Sequence, residues 1–71
     1  MATEAQARAA KLILKNKLRG NDWYRGIGIS KDELGGYCVV VNVSGNQKLN
    51  PEIYGVPVKV QNVGEIKALG D

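Results

Sequence analysis

Gly26-x-Gly28, within the stretch GIGISKDELGGY, is the closest approach in this sequence to a phosphate-binding loop. A phosphate cradle needs backbone N–H groups converging at the start of a helix, and the dinucleotide fingerprint adds a third glycine three residues on. Lys31 stands at that place and no helix pattern opens after it. The two glycines therefore read as strand residues on one face, leaving a groove into which a helix or a large side chain such as a tyrosine can settle. Lys31-Asp32-Glu33-Leu34 spells an endoplasmic-reticulum address that works only at a free C-terminus, and here residues 35–71 follow it. Asn42-Val43-Ser44 matches a glycosylation sequon, but it lies within a strand pattern of a chain whose first residues lack a secretory signal.

Catalytic chemistry finds little to work with. The sequence has no histidine, which removes the Ser-His-Asp and Cys-His arrangements and the commonest general base. Cys38 is the single cysteine; placed at the centre of a valine-rich strand with no base to activate it, it reads as a small buried hydrophobe. Asp32 and Glu33 are adjacent in a loop, where paired carboxylates are ordinarily solvated. One cysteine and scattered carboxylates provide no zinc, iron or copper ligand set. We expect no enzymatic activity, no catalytic residue, no metal and no cofactor.

The residues that could serve a partner are cationic. Residues 1–25 hold Arg8, Lys11, Lys15, Lys17, Arg19 and Arg25 against Glu4 and Asp22, whereas the remainder is slightly acidic. At 100 degrees per residue Arg8, Lys11, Lys15 and Arg19 fall in one helical arc about 80 degrees wide, with Glu4 inside it. Ala9, Ala10, Ile13, Leu14 and Leu18 occupy much of the other side, and Leu12, beside the basic arc, does not fit a two-faced helix. Such a stripe could track phosphates, with Lys17, Arg25 and the aromatic Trp23 and Tyr24 beside it. The plainer reading is a solvated helix face, since no helix-turn-helix, RNA-recognition or zinc-finger signature accompanies it. Arg8, Lys11, Lys15, Arg19, Trp23 and Arg25 are thus the candidate contacts for a nucleic acid or another partner.

The elements that position these residues are legible in order. Thr3 and Gln6 form a capping-box pattern that starts a helix. Nearly every residue from Glu4 to Arg19 is a fair to good helix former, and Gly20 stands where a left-handed residue would end it. The small Ala5, Ala7, Ala9 and Ala10 suit a helix lying close against a sheet. WYRGIGIS then alternates, with Trp23, Arg25, Ile27 and Ile29 on one face and Tyr24, Gly26, Gly28 and Ser30 on the other. YCVVVNVS is the strongest strand, with Tyr37, Val39, Val41 and Val43 on one face. Lys31 to Gly36, ending in Gly-Gly, joins the two as a hairpin loop. GNQKLNPEIYG holds a single helical turn, with Asn50 as cap, Pro51 in the first turn and Gly55 as stop. VPVKVQNV is a third strand with one unpaired side at Pro57, and GEIKALG, with Ile66 and Leu69, is a short fourth strand or a packed tail.

The order Gly26-Ile27-Gly28-Ile29, then Val39 to Val43, then Pro51 and Ile53 to Val58 resembles a small domain of uncharacterised bacterial proteins. It is also similar to the N-terminal segment of certain bacterial trypsin-like peptidases, where a GVGIG strand, a valine-rich strand and a P-x-x-I-x-G-V-P-V segment follow in order. The likeness spans residues 25–66 and leaves the helix out. It implies a hairpin followed by a third strand, and carries no substrate or catalytic residue over to this chain.

Composition sets the frame. A content of 44% apolar and 24% charged residues is that of a folded globular domain. At 71 residues the chain is one small domain, residues 1–71, and folding hides only roughly 60% of its unfolded surface. No disulfide can reinforce it within the chain, so self-association is the remaining aid, and a homo-oligomer is expected. No apolar run reaches membrane-spanning length, and the unpaired Cys38 suits a reducing, cytoplasmic location. The expectation is an α+β fold: an N-terminal amphipathic helix packed on a three- to four-stranded, mainly antiparallel sheet. Its function is a non-catalytic interaction module that meets another protein or a second copy by a sheet edge or an exposed apolar surface. The alternative is a nucleic-acid-binding accessory protein using the basic helix face.

Overall fold

The computed structural model describes residues 2–63 and shows an α+β fold, one helix on a four-stranded mixed sheet. Helix α1 spans Glu4–Leu18 and begins with the expected capping box: Thr3 Oγ1 accepts from the Gln6 N–H at 3.1 Å, and Gln6 Oε1 accepts from the Thr3 N–H at 2.8 Å. The helix ends differently from expectation. Gly20 is not left-handed; instead the Asn21 N–H and Nδ2 both donate to the Leu18 carbonyl, at 2.9 and 3.1 Å. An asparagine side chain thus satisfies the last turn, where a left-handed glycine would otherwise have done so.

Strands β1 (Tyr24–Lys31) and β2 (Tyr37–Val43) form the expected antiparallel hairpin. Asp32 builds its turn: its Oδ1 accepts from the N–H groups of Leu34 and Gly36 at 2.9 and 3.0 Å, while its own N–H donates to the Gly36 carbonyl. Gly35 supplies the positive φ, at 88°. Asp32 is therefore a turn-former.

The alternation expected for β1 breaks at Arg25. Tyr24 lies opposite Val43 and Gly26 opposite Asn42, so Arg25 is an extra residue in a β-bulge. The bulge shifts the phase, and Tyr24, instead of Arg25, shares a face with Ile27 and Ile29.

Residues 50–55 correct a second expectation. There is no helical turn: β3 (Glu52–Ile53) pairs antiparallel with β4 (Val56–Asn62) through the two residues Tyr54 and Gly55. Both have positive φ, 51° and 78°, which is the two-residue turn whose twist matches that of its strands. Pro51 accepts the Val58 N–H at 2.8 Å, tying the segment to β4.

Strand β4 runs parallel to β2, from Val39 opposite Val58 to Val43 opposite Asn62, giving the order β1-β2-β4-β3. The sheet is thus mainly antiparallel with one parallel pair. Residues 44–55 make the crossover that a parallel pair requires, and their Leu49 and Ile53 pack against the core. The ladder starts one residue after Pro57, whose missing N–H interrupts neither neighbour, and the Tyr37 N–H goes to the Ala2 carbonyl. The expected contribution of Ile66 and Leu69 lies outside the described residues.

The core lies between α1 and one sheet face. Val39, Val41, Val43, Val56 and Val58 meet Ala7 and Ala10, which are 0% and 1% exposed. Two small residues at this spacing let the helix axis approach the sheet, and no buried side-chain N or O among the described residues lacks a partner.

Gly26 and Gly28 answer the groove question in an unexpected way. They stand opposite Asn42 and Val40, on the face away from the helix, and among the described residues no atom lies within 4 Å of a Cβ built on Gly28. Neither helix nor tyrosine fills the space. Gly28→Val should therefore raise stability by about 0.5–1 kcal/mol, because a β-branched residue suits an open strand position and restricts the unfolded chain. Thermal denaturation should show a melting point higher by a few degrees; a lowered one would mean that this face is already covered.

Candidate functional site

The hydrogen-bond directions of the hairpin fix which groups of β1 face away from the sheet and have no backbone partner among the described residues. Asp32 donates across to Gly36, and the ladder alternates, so Ser30, Gly28 and Gly26 turn their backbone groups toward β2. Tyr37 turning its N–H away from β1, to Ala2, agrees with this phase. Ile27, Ile29 and Lys31 consequently point their N–H and C=O groups outward from the sheet edge. The opposite edge is shorter, because β3 and the Pro51 carbonyl cover β4 at Val56 to Val58.

A groove of about 670 Å³ lies between α1 and the β1 side of the sheet, lined by Glu4, Arg8, Lys11, Leu12, Lys15, Ile29 and Tyr37. Helical spacing places Arg8, Lys11 and Lys15 in one row along it. The Arg8 guanidinium pairs with Glu4 at 2.8 Å, an exposed contact worth about 0.3–0.5 kcal/mol. The side chains of Lys11 and Lys15 make no hydrogen bond or ion pair among the described residues. Lys31 Nζ sits 5.4 Å from the centre of the ring of Tyr37, which lines the floor. Leu12, 60% exposed, has its place here: it is the apolar residue of the groove's helical wall.

Of the six residues singled out in the sequence, Arg8, Lys11 and Lys15 come together and the other three do not. Arg19 is the exposed C-cap of α1. Trp23 is half-buried against the core, so its ring is no free stacking platform. Arg25, the bulge residue, donates from Nη1 to the Asp22 carbonyl at 2.7 Å, which anchors its guanidinium on the α1–β1 connection. Sequence reasoning missed Ile29 and Tyr37 as neighbours of the basic row. The misfit of Leu12 on the helical wheel was the signal that could have found this wall.

Other places hold less. A cleft of about 380 Å³ beside the β3–β4 turn is lined mainly by Ile13, Leu14, Leu18, Leu49, Ile53 and Val58, with Lys17 and Tyr54 also contributing. Cys38 is fully buried. Among the described residues no group of three or more Cys, Asp or Glu side chains could hold a metal ion, and no helix is long and apolar enough to cross a membrane. Comparison of the chain with protein-family models, with curated proteins and with solved structures finds no match.

Proposed function

We propose that this chain is a non-catalytic interaction module whose working surface is the bare edge of β1 together with the basic groove beside it. One observation carries the reading: an eight-residue edge strand with outward-facing backbone groups runs next to Arg8, Lys11 and Lys15, with Leu12 exposed in the same wall. An unpaired strand edge is a template for another chain, and an apolar residue within a cationic wall favours a protein partner over a purely phosphate-tracking one. The half-buried Trp23 and the anchored Arg25 leave the nucleic-acid reading with the helical row alone. A reducing, cytoplasmic setting suits the buried free thiol of Cys38.

The test places a photo-crosslinking amino acid at Leu12, and separately at exposed Lys59, in the full chain expressed in its native cell. A discrete protein adduct from position 12 and none from position 59 is expected. An adduct removed by nuclease would replace the reading with the nucleic-acid one, and an adduct of twice the chain's mass would identify a second copy. Equal, diffuse labelling from both positions would overturn the assignment of the surface.

A further inference from the structure

We infer that the partner bound at this site is an extended, acidic segment of another protein that adds to the sheet as a strand antiparallel or parallel to β1, with acidic side chains at alternate positions under the basic row. The inference rests on the docking surface proposed above and specifies its occupant.

The geometry has three parts. First, Ile27, Ile29 and Lys31 present outward N–H and C=O groups, so an incoming strand finds a ladder already spaced for it. Second, the two faces of such a strand meet opposite environments. Side chains on the helix side continue the row of Ile27, Ile29 and Lys31 and come beneath α1, where Lys11, Lys15 and the Glu4-paired Arg8 line the groove. Side chains on the other side fall beside Gly26, Gly28 and Ser30, on a face with open space. Third, the lengths agree. Arg8 to Lys15 covers about 10.5 Å of helix axis, and same-face residues of a strand recur every ~6.7 Å, so two or three alternate acidic residues fit along the row.

The same charges decide against the obvious competitor. Antiparallel pairing of β1 with β1 of a second copy would set both helices on one side of a continuous sheet, with the two cationic rows facing each other. Like charges so juxtaposed disfavour the pair. Lys31 and the bulge at Arg25 blunt the two ends of the edge in the manner of strands guarded against self-pairing. What repels a copy attracts an acidic strand.

Heteronuclear NMR of the full chain, titrated with a short capped peptide alternating glutamate with valine, tests this. Saturable shifts are expected at the amides of Ile27, Ile29 and Lys31. The combined Lys11→Glu and Lys15→Glu exchange, on an exposed helix face where folding is kept, should weaken binding about tenfold or more. Two further peptides separate strand addition from simple charge attraction. With N-methyl groups on one set of alternate residues binding should be lost, and with the methyl groups on the other set it should persist, because an added strand uses every second amide. Equal binding of both methylated peptides, or of a peptide with the same composition and its glutamates in one block, would overturn the inference. So would the absence of shifts along β1. If the peptide fails while the Leu12 position still yields a discrete protein adduct, the docking surface stands and its occupant is of another kind.

Discussion

Ala10→Leu is expected to destabilise the protein by about 2 kcal/mol, which for a domain of this size is a fall in melting temperature of about 8–16 °C. Ala10 is 1% exposed and, with Ala7, lies against Val39, Val41 and Val43. There is no room for three more carbons, so either α1 lifts from the sheet or the valines leave their preferred rotamers. Ala9 is the internal control: it is exposed on the same helix, and Ala9→Leu should change the melting point little, since leucine and alanine are both good helix formers. If the two variants melt alike, the helix does not approach the sheet through Ala10. Lifting the helix would also widen the groove between α1 and β1, so the same variant should weaken peptide binding at the basic row.

Asp32→Ala is expected to cost about 2 kcal/mol. The carboxylate satisfies two backbone N–H groups in one turn, those of Leu34 and Gly36, and one of them is half-buried. Charge-assisted bonds of this kind exceed neutral ones, and the loss leaves two donors facing each other within a loop that must still close at Gly36. Asp32→Asn keeps the accepting oxygen and should lose less than half as much. Hydrogen exchange at the Gly36 amide reads the effect locally, and it should quicken in the alanine variant. Unchanged exchange there would mean that Asp32 does not build the turn.

The legible parts of the fold are those governed by neighbours in sequence. Thr3 and Gln6 start the helix because the two partners of a capping box are three residues apart, and the Gly35-Gly36 turn joins β1 and β2 because its requirement for positive φ is local. The basic row could be read from the wheel for the same reason. The helix stop failed locally, since Asn21 and not Gly20 closes the last turn on the Leu18 carbonyl; the other failures depended on distant partners. Asn50, Pro51 and Gly55 carry the cues of a helical turn, but Ile53 packs against the core and the Val58 N–H takes the Pro51 carbonyl, and together these hold a hairpin that forces Tyr54 to a positive φ. The Arg25 bulge is set by register with β2, and the parallel direction of β4 by where residues 44–55 can cross the core; neither leaves a periodic trace. The groove itself required the helix's position over β1, so its cationic wall could be foreseen while its floor of Ile29 and Tyr37 could not.

The parallel pairing of β2 with β4 also dictates an order of events during synthesis. The helix and the β1–β2 hairpin can close as soon as residue 43 is free of the ribosome, since their contacts are short-range. At that moment the most β-prone strand of the chain has one side unpaired, and its partner, residues 56–62, has yet to emerge. The nascent protein therefore passes through an interval in which Val39, Val41 and Val43 offer their backbone to any passing strand. The crossover thus separates β2 from its second partner in synthesis as well as in sequence.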